Sequence, residues 1–400
     1  MQAQSIVAVD IAEAGASVAE DTPPGPIHFN VPAFAGNELE YIRQAVAHGH
    51  TAGDGSFTAR CHAWLEARLG APKALLTHSC TAALEMAAIL FDLGPGDEVI
   101  MPSFTFVSTA NAVALRGAVP VFVDIRPDTL NLDETLIEEA ITPRTKAIFV
   151  VHYAGVGCAM DRIMAIAEHH GLLVAEDAAQ GLASSHQGRP LGGIGHLAAI
   201  SFHETKNLIS GEGGALIVND ARFVERAEII REKGTNRSSF FRGEVGKYTW
   251  VDIGSSYLPS DLIAAFLLAQ LEQADRLLAE RRALWNRYHA GFAEAEARGL
   301  CRRPIVPAEC EHNAHIYYLL LPSPAERDAL IAGLKREGIH APFHYVPLHS
   351  SPAGSRFART YGRLRHTDDL AARLLRLPLW YGMTGETDQV VKAVLSRLGH

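Results

Sequence analysis

Four short segments place polar or aromatic residues directly after apolar, β-rich runs, which is where open α/β sheets bind their ligands. His78-Ser79-Cys80-Thr81-Ala82-Ala83 follows a run ending at Thr77 and opens a helical stretch with small residues. Free backbone N–H groups and the positive end of a helix dipole suit a phosphate there, although the same residues also serve as an ordinary helix cap. Asp177-Ala178-Ala179-Gln180 ends the run Leu172–Glu176 and sets a carboxylate at the sheet edge, with a capping aspartate as the plain alternative. His203-Glu204-Thr205-Lys206-Asn207 follows Ala198–Phe202 and leads into Gly211-Glu212-Gly213-Gly214, whose glycines let backbone approach a ligand closely. An exposed surface lysine is the plain alternative there. In Pro102-Ser103-Phe104-Thr105-Phe106-Val107 an aromatic side chain is placed to cover a flat ring, or simply to pack in the core.

Together these segments offer an anion cradle, an aromatic lid, a buried acid and a lysine at one sheet edge, which is the set that pyridoxal phosphate (PLP) requires. That cofactor needs an amine for its aldehyde, a carboxylate to keep its pyridine nitrogen protonated and a site for its phosphate. Competing motifs fit less well. His203-Glu204-Thr205-Lys206-Asn207 has Asn207 where a zinc-protease helix needs its second histidine. Gly193-Ile194-Gly195 is followed by a strand rather than the helix of a dinucleotide fingerprint, and no P-loop pattern occurs. His344 and His349 with Tyr345 lack a carboxylate or cysteine at metal-ligand spacing, so no metal is expected.

These residues need a scaffold, and the chain from about Ile27 to Asn219 supplies one. The runs Ala74–Thr77, Glu98–Met101, Val119–Asp124, Ala147–His152, Leu172–Glu176 and Ala198–Phe202 alternate with helical stretches Thr81–Asp92, Ser108–Arg116, Leu132–Ala140 and Asp161–His169. That alternation predicts an α/β fold with a mainly parallel central sheet flanked by helices. Ser260 and Asp261 cap a long helical pattern reaching about Ala297. Beyond it, Ile316–Leu321, Ala325–Glu337 and Ile339–His344 read as strand, helix and strand, followed by helices near Asp368–Leu375 and Glu386–Leu398. The expected organisation is a flexible extension over 1–26, a large ligand-binding domain over 27–260, and a connector helix with a small C-terminal α/β domain over 261–400.

Composition narrows the function. The chain has 400 residues, 48% of them hydrophobic, and its 36 Lys plus Arg against 45 Asp plus Glu give a net charge of −9. That field offers no general attraction to nucleic acid, so an anionic ligand must be held by a local site. No apolar run approaches the ~20 residues of a membrane span, and the acidic N-terminal residues do not resemble a secretion signal. Five scattered cysteines without a CxxC fit a reducing compartment, so a cytoplasmic location is expected.

At Ser201-Phe202-His203-Glu204-Thr205-Lys206-Asn207 with Gly211-Glu212-Gly213-Gly214, the chain strongly resembles the fold-type-I, PLP-dependent nucleotide-sugar aminotransferases of the DegT type. Gly94-Pro95-Gly96-Asp97-Glu98-Val99-Ile100-Met101-Pro102, Pro120-Val121-Phe122-Val123-Asp124, Val151-His152-Tyr153-Ala154-Gly155 and Glu176-Asp177-Ala178-Ala179-Gln180 extend the resemblance, which runs from about Ile27 to the C-terminus. Within that family, Gly53-Asp54-Gly55-Ser56-Phe57-Thr58, Arg231–Ser238 and Asp252–Tyr257 are similar to the TDP-4-amino-4,6-dideoxygalactose transaminases.

The resemblance implies roles. Lys206 would carry the cofactor's aldehyde and shuttle the proton, Asp177 would pair with the pyridine nitrogen, and Gln180 would meet the ring hydroxyl. Thr81, Ala82 and Ser201 would hold the phosphate, and Phe106 would cover the ring. Where relatives place an Asn reaching into the neighbouring subunit's phosphate site, this chain has Ser256, and Leu258 replaces the Arg two residues on. A homodimer with shared active sites is therefore expected. The implied reaction takes an amino group from L-glutamate to C4 of a TDP-4-keto-6-deoxyhexose for surface polysaccharide synthesis. Another keto-sugar nucleotide, or amination at C3, is the alternative. Arg237, within the basic run Arg231, Lys233, Arg237, Arg242 and Lys247, is the candidate for the substrate phosphates, and Tyr345 is a second candidate substrate contact.

Overall fold

The computed structural model describes residues 25–398, so the extension expected over 1–26 lies almost wholly outside the described residues. Seven strands build most of a central sheet: β1 Lys73–Thr77, β2 Glu98–Pro102, β3 Val119–Val123, β4 Thr145–Val151, β5 Leu173–Asp177, β6 Leu197–Ser201 and β7 Gly214–Val218. Later come β8 Tyr317–Leu320, β9 Arg359–Thr360 and β10 Leu374–Leu377. The large sheet has the order β1-β7-β6-β5-β4-β2-β3-β9. β7 alone runs antiparallel, pairing with β1 and β6, while the other pairs are parallel. The six strands expected before Asn219 are all present. β7 is an addition that its glycine-rich start disguises as a loop.

The longer helices are α1 Glu38–Ala47, α2 Ser56–Leu69, α3 Cys80–Leu90, α4 Val107–Ala114, α5 Met160–His170, α6 Val224–Arg231, α7 Asp261–Glu272, α8 Ala274–Gly291, α9 Pro324–Arg336, α10 Arg365–Arg373 and α11 Glu386–Leu395. They cover both faces of the sheet, and the period-2 alternation of the strands divides the core accordingly. Leu216 and Val218 of β7 join the cluster around α3, α4 and α6, whereas Ala215 and Ile217 join the cluster around α2 and α7. Farther along the sheet, Ile100, Val121, Ile148 and Val174 pack beneath α5. A further cluster joins α8, β8, α9, β10 and α11, with β8 and β10 paired antiparallel.

Several expectations change in detail. The pattern from Ser260 to Ala297 is broken at Gln273 and at Phe292, giving α7, α8 and a last short helix, Ala293–Ala297, rather than one rod. α7 packs into the large core with α2, and β9 from the C-terminal half adds the eighth strand of the sheet. Leu132–Ala140 is not a full helix. Leu132 bridges to Ile125, and only a 3-10 turn and the four residues Ile137–Ala140 coil. Ile339–His344 forms no strand; Ile339 makes an isolated bridge to Ile27, and Pro342 has no N–H to continue a ladder.

Ser260 caps α7 as expected, its hydroxyl accepting from the Ile263 N–H. Asp261 does something else. Its carboxylate accepts from the backbone N–H and the hydroxyl of Thr58, both at 2.8 Å, and from the Phe57 N–H at 3.4 Å. It thus caps α2, whose own N-cap is Gly55 and offers no side chain. Because the carboxylate is buried, Asp261→Ala should lower stability by about 2–4 kcal/mol, leaving three α2 donors without their charged acceptor. A urea midpoint unchanged from wild type would contradict this.

Candidate active site

The ends of β1, β5 and β6 bring the expected residues to one edge of the sheet. Asp177 is the last residue of β5 and is buried. Its Oδ2 accepts from the Thr109 hydroxyl at 2.7 Å and its Oδ1 from the Ala179 N–H at 3.1 Å, and no cation lies within ion-pair range among the described residues. Burial raises its pKa above the usual aspartate value, against the lowering effect of Thr109, the Ala179 N–H and Lys206. Lys206 follows β6 by five residues in a turn closed by its N–H to the His203 carbonyl at 2.9 Å. Among the described residues its Nζ has no hydrogen bond or ion pair. Burial lowers its pKa, and Asp177 works in the opposite direction. A buried carboxylate and a half-buried amine thus sense each other without being paired.

Around them stand the remaining predicted groups. Ser79 caps α3, its Oγ accepting from the Ala82 N–H at 3.1 Å, so the plain capping alternative holds for Ala82. Thr81 instead turns its hydroxyl to Ser108 at 2.8 Å, linking the start of α3 to α4. Ser201 ends β6 and is buried. A Cβ on Gly214 would lie 2.4 Å from the Cys80 nitrogen, so this glycine lets β7 pass directly against the turn that opens α3. Phe106, the N-cap of α4, is 57% exposed, as a lid over a bound ring requires, with its ring 6.4 Å from that of Tyr345. Gln180 is fixed at both ends of its amide. Its Oε1 accepts from the Ala154 N–H at 2.7 Å and its Nε2 donates to the Tyr345 hydroxyl at 2.8 Å.

Two predicted residues stand apart from this cluster. Ser256 is exposed on a loop that bridges to Glu232, and no hydrogen bond joins its hydroxyl to the Lys206 group. Arg237 is half exposed and pairs with Glu232 at 3.1 Å. The rest of its basic run is also largely neutralised: Lys233 pairs with Glu232, and Arg242 with Glu228 and Glu244. Arg231 is buried, with its Nε donating to the Leu76 carbonyl at 2.7 Å and its Nη1 to Asp54 at 2.8 Å. It is a structural tie rather than a free cation for substrate phosphates.

Other residues at the site escape a strand-end reading. Thr109 reaches Asp177 from inside α4. Asn207 Nδ2 donates to the Asn313 carbonyl at 2.8 Å, and its Oδ1 receives the Nδ1 proton of His315 at 3.1 Å. Asn313 in turn donates to the carbonyls of Gln180 and Leu182. Arg281 in α8, also buried, holds the His315 carbonyl at 2.8 Å. None of these is singled out for its role in the sequence; Arg376, a single charge inside the apolar run of β10, is the one that carries a local signal by which it could be found.

A parallel α/β sheet presenting an unpaired acid and lysine at its carboxyl edge, with a helix N-terminus and an exposed aromatic beside them, defines a fold-type-I PLP-dependent aminotransferase. Residues 32–395 match the model of the DegT/DnrJ/EryC1/StrS aminotransferase family, and the chain belongs to that family. The spore coat polysaccharide biosynthesis protein SpsC of Bacillus subtilis (strain 168) is 33% identical over 375 residues, covering 92% of this chain and 95% of that protein. S. venezuelae DesV is similar in structure, with a TM-score of 0.84 at 30% identity over 94% of this chain and 100% of that one. Spr1654 from Streptococcus pneumoniae, solved in its PLP form, has a TM-score of 0.85 at 26% identity over 93% of this chain and 98% of that one. The cofactor is PLP, and the donor set fits it: Asp177 lacks a cation that a protonated ring nitrogen supplies, and Lys206 is a free amine.

Proposed function

We propose that the chain transfers an amino group from L-glutamate to C4 of a TDP-4-keto-6-deoxyhexose, giving TDP-4-amino-4,6-dideoxygalactose for a surface polysaccharide. The observation that carries this reading is the unpaired Asp177 and Lys206 at adjacent strand ends. The runs Gly53–Thr58 and Asp252–Tyr257 support the choice of sugar, and the printed name of SpsC supports a role in polysaccharide assembly.

When bound, PLP supplies an aldehyde that captures amines and a ring that accepts the electron pair left by a departing proton. The chain does the rest. Lys206 Nζ, biased by burial toward its neutral form, takes the proton from the substrate carbon and returns it at the neighbouring position. Asp177 is held by Thr109 and Ala179 so that its charge is in place before reaction, without reorganisation. Thr81 and Ser201 hold the phosphate, Phe106 covers the ring, and Gln180 presents an amide already oriented by Ala154 and Tyr345. Arg237 serves the substrate phosphates from its exposed half.

The active unit in this reading is a homodimer in which Ser256 completes the partner's site. Phe106, Leu115, Phe241, Trp250 and Ile253 are exposed apolar side chains that a subunit interface would cover. Light scattering should give twice the chain mass. Incubation with TDP-4-keto-6-deoxyglucose and glutamate should yield an axial C4 amine by NMR. A C3 amine or the gluco epimer would overturn the assigned product, and no amination of any keto-sugar nucleotide would overturn the function.

A further inference from the structure

Lys206 lies on the loop between β6 and β7. The base of that loop is closed by the Ser210 N–H donating to the Phe202 carbonyl at 2.7 Å and the Glu204 N–H donating to the Gly211 carbonyl at 2.8 Å. Those bonds fix where the loop starts and ends, not the residues at its tip. At the tip, Asn207 turns its amide inward and is buried, where an amide must have partners. One segment just before β8 meets both ends of it. Asn207 Nδ2 donates to the Asn313 carbonyl at 2.8 Å, and its Oδ1 accepts from His315 at 3.1 Å. The Asn313 carbonyl settles which end of the amide is oxygen, so the His315 Nδ1 facing that oxygen carries the proton. Burial, then the charges of Lys206 and Arg281, push the His315 pKa well below the usual histidine value and keep its ring neutral. The hold on Asn207 therefore adds no charge beside the Lys206 amine.

The holding segment is itself over-determined. Ala314 has φ +54°, a left-handed conformation that is unfavourable for a residue with a Cβ. Its N–H donates to His312 Nδ1 at 3.2 Å, and Arg281 Nη2 reaches its carbonyl at 3.3 Å and that of His315 at 2.8 Å. Arg281 is buried and pairs with no carboxylate among the described residues, so its charge is directed at these carbonyls. Asn313 Nδ2 donates to the carbonyls of Gln180 and Leu182 at 2.8 and 2.9 Å, a few residues beyond Asp177. A Cβ on Gly155 would lie 2.1 Å from Asn313 Oδ1, so a glycine there is what lets this side chain seat. One strained segment thereby ties the tip of the Lys206 loop to the chain that follows Asp177. Lys206 and Asp177 come from different strands, and nothing local to either sets their separation.

We propose that His315, acting through Asn207, is a positioning residue that sets the Lys206 amine against the cofactor aldehyde. This rests on the aminotransfer reading above, in which Lys206 carries the cofactor. Asp177 anchors the ring at its nitrogen, and the aldehyde stands on the opposite side of that ring, so the reach of Lys206 has to match a ring fixed from β5. An amine on a long flexible stem can swing, and its reaction rate depends on arriving in the right geometry. Fixing the backbone at the next residue narrows the swing where the side chain begins. A neutral imidazole suits this task better than a carboxylate, which would favour the charged form of Lys206 and oppose its role as a free base.

The test pairs two substitutions. His315→Asn keeps a donor near the place of Nδ1 and loses the ring. His315→Phe keeps the ring and loses the donor, with His315→Leu as a second donor-free variant should His315→Phe not fold. When PLP is added to cofactor-free enzyme, the Lys206 amine adds to the aldehyde carbon, water leaves, and a visible band appears. That band should form about 100-fold more slowly in His315→Phe, the cost of about an ångström of misplacement, and close to the wild-type rate in His315→Asn. Pyridoxine 5′-phosphate, whose alcohol replaces the aldehyde, cannot bond to Lys206 and should bind wild type and both variants with the same Kd. Asn207→Leu should slow the band as His315→Phe does, and the double variant should be no slower, because the two residues act in one chain of contacts. Equal rates in wild type and the donor-free variants, a slower band in His315→Asn than in His315→Phe, additive losses in the double variant, or a raised Kd for pyridoxine 5′-phosphate that accounts for the slowing would each overturn the assignment. A wild-type band that borohydride does not fix at Lys206 would overturn the Lys206 reading itself, a result distinct from these.

Discussion

Lys206→Ala should abolish multiple turnover while leaving the fold intact. Lys206 Nζ makes no hydrogen bond or ion pair among the described residues, so its removal breaks no contact. Because burial already lowers its pKa, deleting the ammonium relieves a desolvation cost rather than adding one. Thermal unfolding should shift by no more than a degree or two upward. The chemistry has no such tolerance. One amine serves both as the nucleophile that retains the cofactor and as the base that moves the proton, and losing the proton-transfer role alone costs up to about 10⁴-fold. Borohydride treatment of the wild type should fix the cofactor to the peptide containing Lys206. Covalent labelling of Lys206→Ala to the wild-type extent, at any lysine, would remove Lys206 from the centre of the mechanism.

The parts of the site legible in the sequence are those placed by a single strand end. Asp177, Gln180, Ser201 and Lys206 each follow an apolar run, and the alternation of such runs with helices is enough to put their carboxyl ends on one edge. Thr81 and Phe106 follow in the same way, one turn farther on. What a local reading could not supply is juxtaposition across long separations. His315 meets Asn207, Arg281 meets His315, and Arg376 meets the segment before Tyr345, and none of these pairs has a spacing that announces it. Charge density misled for a related reason. The run from Arg231 to Lys247 looks basic in sequence, but folding brings Asp54, Glu228, Glu232 and Glu244 against it and buries Arg231 outright. Asp261 shows the opposite error. Its position at the start of α7 marks it as a cap of its own helix, whereas its carboxylate serves a helix that begins some two hundred residues earlier.

Asp177→Asn separates what this carboxylate does for the fold from what it does for the reaction. In the cofactor-free chain its raised pKa means that the anion is disfavoured by burial. An acid whose pKa rises on folding stabilises the fold below that pKa and penalises it above, so at neutral pH the native Asp177 carries a penalty that asparagine lacks. Against this gain, the amide can keep an acceptor for Thr109 but turns an N–H toward the Ala179 N–H, at about 1–2 kcal/mol. The two effects oppose each other, and the urea midpoint of the cofactor-free variant should stay close to wild type. The loaded enzyme should differ sharply. Without the anion, nothing in the chain holds a proton on the ring nitrogen, and the electron pair released at the substrate carbon loses its stabilisation. A single-turnover half-reaction with glutamate should slow by about 10³-fold, a loss of the size expected when one preorganised electrostatic contact is removed. The slowing should appear in the rate at saturating glutamate rather than in the concentration needed for saturation, because the role proposed for Asp177 is toward the cofactor's ring nitrogen and not toward the donor. A variant that runs the half-reaction at wild-type speed would reduce Asp177 to a cap for Ala179, and a rise in the half-saturating concentration alone would assign it to substrate binding instead.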